Sequence, residues 1–382
     1  MITATAAGKE TFTSTGREHP VLQPIQLGSV QLKNRAVVAP MSRVSTRGDG
    51  VPTENMQRYY AEFGSGGFGL IITEGTYTDN EFSQGYENQP GIVTARQAEA
   101  WSEIVSSVHQ TGAKIFLQLM HAGALSQFLR TPRAPSAVKP LGRMLTGYGG
   151  QGEFPVPLEM TRSEIEKAIA GFASSAQQAI KAGFDGIEVH AANGYLLHQF
   201  ITEYTNLRQD CYGGKLQDRI RFVSEVLGAI RASVGEHLVV GVRLSQGKVN
   251  DFDYHWPGGL TDGRVIFGAV RRAGADYIHF ASEGKGFDHG CLTLQSESLP
   301  QFARNETHLP VIGNGGLESP AAARRILEEG HGDLVALGTG ALANPDWPLR
   351  IADGLPLSAF DVSMLTPDAT IESSWAWAES WK

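Results

Sequence analysis

Short apolar runs recur along the chain at Ala36–Pro40, Leu70–Gly75, Lys114–Leu119, Gly186–His190, Val239–Leu244, Tyr277–Phe280, Val311–Gly313 and Leu334–Leu337. Runs of this length without polar alternation predict strands buried on both faces. Most are separated by stretches whose apolar positions return every three or four residues, as on one face of a helix. The clearest begins at Thr161, with Glu164 three residues on in a capping-box pattern, and carries Ile165, Ala168, Ile169, Phe172, Ala176 and Ile180 before Gly183 ends it. Another opens at Ser319, read as an N-cap before Pro320 at the first helical position, and closes at Gly330. Helix returns to strand through one repeated theme, Gly112-Ala113-Lys114, Gly183-Phe184-Asp185, Gly274-Ala275-Asp276 and Gly330-His331-Gly332-Asp333, in which the glycine supplies a left-handed turn. Strand and helix in strict alternation make a parallel sheet covered by helices, and eight such units predict a closed (β/α)8 TIM barrel in a single α/β domain.

Two parts lie outside the repeat. Residues Arg130–Pro157, with five prolines, are too long for a plain connection and are read as an excursion over the barrel mouth between the third and fourth strands. The barrel is placed at residues 21–354, with extensions at 1–20 and 355–382. The second extension carries Trp375, Trp377 and Trp381, which suit docking on the barrel or on a second subunit, so a homo-oligomer is left open.

Composition narrows the partners. A chain of 382 residues, 41% hydrophobic and 19% charged, can bury a large core. A formal charge of −8 and the lack of any Lys/Arg block argue against nucleic acid and membrane surfaces, leaving a small-molecule partner. Cys211 and Cys291 are too few for a disulfide framework, and no apolar leader or spanning segment is present, so the cytoplasm is the expected setting.

Some motifs carry no function. Gly64–Gly69 formally matches G-x-G-x-x-G but follows a helix and precedes a strand, the reverse of a dinucleotide fingerprint, and is read as a turn. Glu188 and His190 face the same way on one strand, but further ligands at metal spacing are lacking, so no metal is expected. In a (β/α)8 barrel the working groups stand at the C-terminal strand ends. Here these are Ala39, Pro40, Met41 and Ser42; Gly75; Gln118; His190, Asn193 and Tyr195; Arg243; Asn314, Gly315 and Gly316; and Gly338 and Thr339.

This set resembles the Old Yellow Enzyme family of flavin-dependent ene-reductases. The resemblance runs from Leu32 to about Pro348 and rests on Leu32-Lys33-Asn34-Arg35 with Ala39-Pro40-Met41-Ser42-Arg43, on His190-Ala191-Ala192-Asn193-Gly194-Tyr195-Leu196, on Asn206 to Gly214 with Arg219 to Phe222, and on Asn344-Pro345-Asp346-Trp347. It implies flavin mononucleotide (FMN) as cofactor, NADPH or NADH as reductant and an enone as substrate. It also implies roles. Ser42 would bond the ring near C4=O and N5; Gln118 would offer donor and acceptor to its O2/N3-H edge; Arg243 would place positive charge near N1 and C2=O. Gly75 would admit the ring, and the glycines after the last two strands would cradle the phosphate. His190 and Asn193 would polarise the substrate carbonyl, with Tyr195 protonating the α-carbon.

The pattern departs from the family at Thr339, where relatives usually carry an arginine for the phosphate; lower flavin affinity is the expectation. Ser42 stands where Thr or Cys is usual. Phe252, Tyr254 and Trp256, after the fifth strand, either line the pocket or pack together. Two rival readings are a flavin-free barrel lyase or aldolase using Glu188 and His190, and a flavin-binding redox protein without enone turnover.

Overall fold

The apolar runs form one closed parallel barrel in the computed structural model of the chain, which describes residues 16–282 and 284–380. Its strands are β1 (Ala36–Val38), β2 (Leu70–Ile72), β3 (Lys114–Met120), β4 (Gly186–Asn193), β5 (Val239–Lys248), β6 (Tyr277–Phe280), β7 (Val311–Asn314) and β8 (Leu334–Leu337). They lie in the order β2-β1-β8-β7-β6-β5-β4-β3, and β2 pairs β3 through Leu70 with Lys114 and Ile72 with Phe116 to close the ring. The helices around it are α1 (Glu54–Ser65), α2 (Ala95–His109), α3 (Arg162–Ala182), α4 (Arg221–Val234), α5 (Leu260–Arg272), α6 (Leu299–Thr307), α7 (Pro320–Glu328) and α8 (Trp347–Asp353).

Local signals explain most boundaries. Thr161 and Glu164 form the reciprocal capping box at the start of α3, and Gly183 ends it in the left-handed region at φ +87°. Gly112, Gly274 and Gly330 likewise have positive φ. Ser319 holds the N-cap position of α7 with Pro320 behind it, as read from the sequence, although its side chain makes no cap bond. Ile180 is a correction: it is 42% exposed, because the inward stripe of α3 continues through Ala176, Ala179 and Ala182 and leaves Ile180 at its edge. Gly64–Gly69 is the turn from α1 into β2.

Period-two alternation stacks the barrel interior in layers. The lowest holds Phe116 and Tyr277, and it needs glycine at two neighbouring positions. A Cβ on Gly186 would lie 2.7 Å from the Phe116 ring, and one on Gly241 2.1 Å from that of Tyr277. Leu27 and Leu32, from the hairpin Ile25–Leu27/Val30–Leu32, share this inner core with Val37, Leu70 and Leu334. Two residues further along β3, β4, β5 and β6 stand Gln118, Glu188, Arg243 and His279, all buried. The strand β5 runs four residues beyond the predicted end, because after a register shift Lys248 pairs again with Asn193.

The described part of the C-terminal extension docks on its own barrel. Helix α9 (Ile371–Glu379) contacts α1, and the Arg58 guanidinium lies 4.4 Å from the centre of the Trp375 ring. Arg43 also donates to the Thr370 carbonyl and, at 2.5 Å, to Ser374 Oγ. Trp377 is half-buried against the main core, and Trp381 lies outside the described residues. Among the described residues no helix is long and apolar enough to cross a membrane.

Candidate active site

A cavity of about 590 Å³ opens at the C-terminal ends of the strands, and every strand-end position singled out from the sequence lines it, from Ala39–Ser42 at β1 to Gly338 and Thr339 at β8. Gln118 and Arg243 form its floor, and the rest of the polar layer of the barrel lies beneath them. Glu188 sits at the centre, accepting from Gln118 Nε2 (2.8 Å), Tyr277 OH (3.0 Å) and His279 Nδ1 (2.8 Å). Burial works against the Glu188 carboxylate, but His279, through its charge and hydrogen bond, then Arg243 and the Gln118 bond outweigh it and hold the carboxyl below its usual range. Burial, the largest influence, lowers His279 against the raising effect of the Glu188 charge.

Arg243 has donors to spare. It is 5% exposed, its two contacts, to the Pro40 carbonyl and Asn314 Oδ1, are both stretched to 3.5 Å, and its Nε has no partner among the described residues. A buried guanidinium so loosely engaged on the floor of a cavity fits an electron-rich ligand edge. Gln118 has already committed one amide N–H to Glu188, which leaves Oε1 and the second N–H, one acceptor and one donor, for a ligand. Gly75 is required by its surroundings: a Cβ there would lie 2.4 Å from Met120 Sδ and 3.4 Å from Gln118 Oε1. Gly315, at φ +119°, abuts Ser282 and Phe287 in the same way, so the far end of the cavity is walled by backbone. Thr339 opens a short helical turn at that end and is exposed. Among the described lining residues the guanidinium groups are Arg43, which is bound to Thr370 and Ser374, and Arg243 on the floor.

The opposite wall carries His190, Asn193 and Tyr195. At the end of β4 the chain turns through Asn193 (φ +63°) and Gly194 (φ +88°), conformations that asparagine and glycine tolerate. Asn193 N–H donates to Ser245 Oγ (2.9 Å), which itself donates to the Gly247 carbonyl, so the extended β5 braces this turn. The His190 and Tyr195 rings meet edge to face at 5.0 Å. Burial first, then Arg243 and His279, lower His190 well below its ordinary value, and the ring is neutral. Ala192 N–H donates to its Nδ1 (3.4 Å), which places the remaining proton on Nε2.

Several lining residues lie off the strand ends. Tyr86, Leu145, Tyr148 and Leu365 come from connecting segments and the C-terminal extension; Leu145 and Tyr148 belong to the predicted excursion. Of the three aromatic residues after β5, Phe252 lines the cavity, while Tyr254 packs on Tyr204 and Trp256 on Phe267. Glu74 lies just behind. Its Oε2 accepts from the N–H groups of Arg43 (2.8 Å) and Val44 (3.0 Å), fixing the segment after Ser42 with Val44 at φ +39°.

A parallel barrel with a deep mouth, a buried arginine with spare donors on its floor and backbone-lined glycine turns at one end suits a flat, anionic cofactor, as in a flavin-dependent oxidoreductase. Residues 20–358 match the model of the NADH:flavin oxidoreductase / NADH oxidase family. The chain is 35% identical over 346 residues to a putative 12-oxophytodienoate reductase 2 of Oryza sativa subsp. japonica, covering 90% of each. It is 33% identical over 356 residues to a probable flavin mononucleotide-dependent alkene reductase of Leishmania infantum, covering 89% of this chain and 92% of the relative. Among solved structures it resembles an old yellow enzyme homologue from Zymomonas mobilis (TM-score 0.81, 31% identity, covering 92% and 99% of the two chains). Morphinone reductase in complex with tetrahydroNAD is similar too (TM-score 0.78, 32% identity, covering 90% and 93%). The chain belongs to the NADH:flavin oxidoreductase family, that of Old Yellow Enzyme, and is an FMN-dependent oxidoreductase that takes its reducing equivalents from a nicotinamide.

Proposed function

We propose that this enzyme reduces the activated double bond of α,β-unsaturated carbonyl compounds, with His190 and Asn193 binding the carbonyl oxygen and Tyr195 delivering a proton to the α-carbon. The observation that carries this reading is the convergence of these three side chains on one wall of a cavity whose floor is Arg243. FMN, when bound, supplies the two-electron hydride chemistry. Arg243 and Gln118 would hold its polar edge, Ser42 and Gly75 would lie along the ring, and the backbone of Gly315, Gly316, Gly338 and Thr339 would take the phosphate.

The protonation state of His190 suits its role. A neutral imidazole with its proton on Nε2 donates one hydrogen bond, and the Asn193 amide donates a second. Two donors on one carbonyl oxygen draw electron density from the conjugated β-carbon and favour hydride addition there. Tyr195, 6% exposed beside His190, releases its hydroxyl proton to the α-carbon. Either NADH or NADPH serves as reductant in this reading, and two unpaired cysteines suit a reducing cytoplasm.

The test is the visible spectrum of the purified protein under anaerobic NADPH, followed by 2-cyclohexen-1-one. Flavin absorbance that bleaches with NADPH and returns with the enone is expected. Bleaching without return would leave a redox protein lacking this activity. In Tyr195→Phe the reductive half-reaction should persist while the enone step slows; equal loss of both would remove the proton-donor role.

A further inference from the structure

We infer that Tyr86 is a positioning residue for Tyr195: its hydroxyl donates to the Tyr195 oxygen and holds the charge left there when the proton departs. The inference rests on the reading of Tyr195 as proton donor. The two hydroxyls are 2.7 Å apart, with Tyr86 3% and Tyr195 6% exposed. Before reaction either can donate to the other. Once the O–H bond of Tyr195 breaks and a C–H bond forms at the α-carbon, the O–H electron pair stays on Tyr195 oxygen. Of the two phenols, only Tyr86 then has a proton to share. It donates without transferring, and a solvent proton restores Tyr195 in the next cycle, so the step balances with no further reactant.

An anionic oxygen at a buried wall is costly unless a donor is already aimed at it. Tyr86 is held for that task. Its ring lies on that of Tyr148 at 4.7 Å and packs with Val44, Met120, Leu125 and Phe154. Its loop is tied down by Gln89, which is fully buried; its Oε1 accepts from Gly85 N–H (2.7 Å) and its Nε2 donates to the Gly75 carbonyl (2.6 Å). The same loop therefore sets both the backbone at Gly75 and the phenol against Tyr195.

The experiment is a double-mutant cycle on the FMN-loaded enzyme with Tyr86→Phe, Tyr195→Phe and the double variant, following both half-reactions by stopped-flow absorbance. A charge-assisted hydrogen bond lost from the proton-transfer step predicts that Tyr86→Phe slows reoxidation by 2-cyclohexen-1-one roughly 10- to 100-fold. Reduction by NADPH and titration with a phenol should stay near wild type. In the Tyr195→Phe background the added Tyr86→Phe change should have little effect. An equal loss in both backgrounds would overturn the inference, since Tyr86 would then act on the substrate directly; so would an unchanged enone step in Tyr86→Phe. If Tyr195→Phe alone leaves the enone step intact, the reading of Tyr195 itself fails, a distinct result.

Discussion

Glu74 gives a quantitative prediction about the segment that carries Ser42. Its carboxyl is 1% exposed, and burial, the largest influence, lifts it from 4.5 to about 7 against the lowering by the Arg43 and Val44 N–H bonds. In the unfolded chain it returns to 4.5, so between these values the folded protein holds a proton that the unfolded chain has released. Stability then falls as pH rises through that window and levels off above it. At about 1.4 kcal/mol per unit the displacement corresponds to roughly 3 kcal/mol. Glu74→Gln fixes the neutral form and keeps an oxygen to accept from Arg43 and Val44. The assay is urea unfolding of the FMN-saturated protein across the window, variant against wild type. The wild-type curve should drop by about 3 kcal/mol relative to the variant between acid and neutral pH, because groups common to both proteins cancel. Parallel curves would show that Glu74 is ionised throughout and that the burial argument is wrong.

Three further outcomes are expected. His190→Ala and Asn193→Ala should each weaken binding of a phenol, a mimic of the enolate, by roughly tenfold or more, read from the long-wavelength absorbance of the complex. Thr339→Arg should raise FMN affinity about tenfold through a charge-assisted bond to the phosphate, measured by fluorescence titration of the apoprotein; an unchanged dissociation constant would show that the backbone already satisfies the phosphate. Gly241→Ala should destabilise the barrel by about 1–3 kcal/mol, since its Cβ would fall 2.1 Å from the fully buried Tyr277 ring; calorimetry of the purified variant checks this.

The barrel was legible because its signals are local. Apolar runs and the glycines that follow most of the barrel helices reflect backbone and burial demands that need no distant partner, and all eight runs became strands. The errors are positions where a neighbour decides. Ile180 fits the 3.6-residue period but falls at the edge of the buried stripe, and the end of β5 depends on Lys248 meeting Asn193 on the adjacent strand. At Ser319 the residue type gave the N-cap position, but residue type does not fix side-chain geometry, and no cap bond forms.

The site divides along the same line. Strand-end residues were readable because the barrel sends each of them to one mouth whatever the loops do. Tyr86 and Leu365 were not readable, since they reach the cavity from segments whose paths are set by tertiary contacts: Gln89 bridging to Gly75, and Arg43 gripping Thr370 and Ser374. Gln118 marks the limit within the readable set. Its amide faces the cavity as the alternation requires, yet the strand pattern gives no hint that Glu188, on the next strand, has taken one of its donors. Charge on the floor is therefore shared through Gln118, Glu188, His279 and Arg243 as one network. A substitution at Glu188 or His279, neither of which lines the cavity, should act on the cofactor through Arg243 and Gln118 rather than by contact.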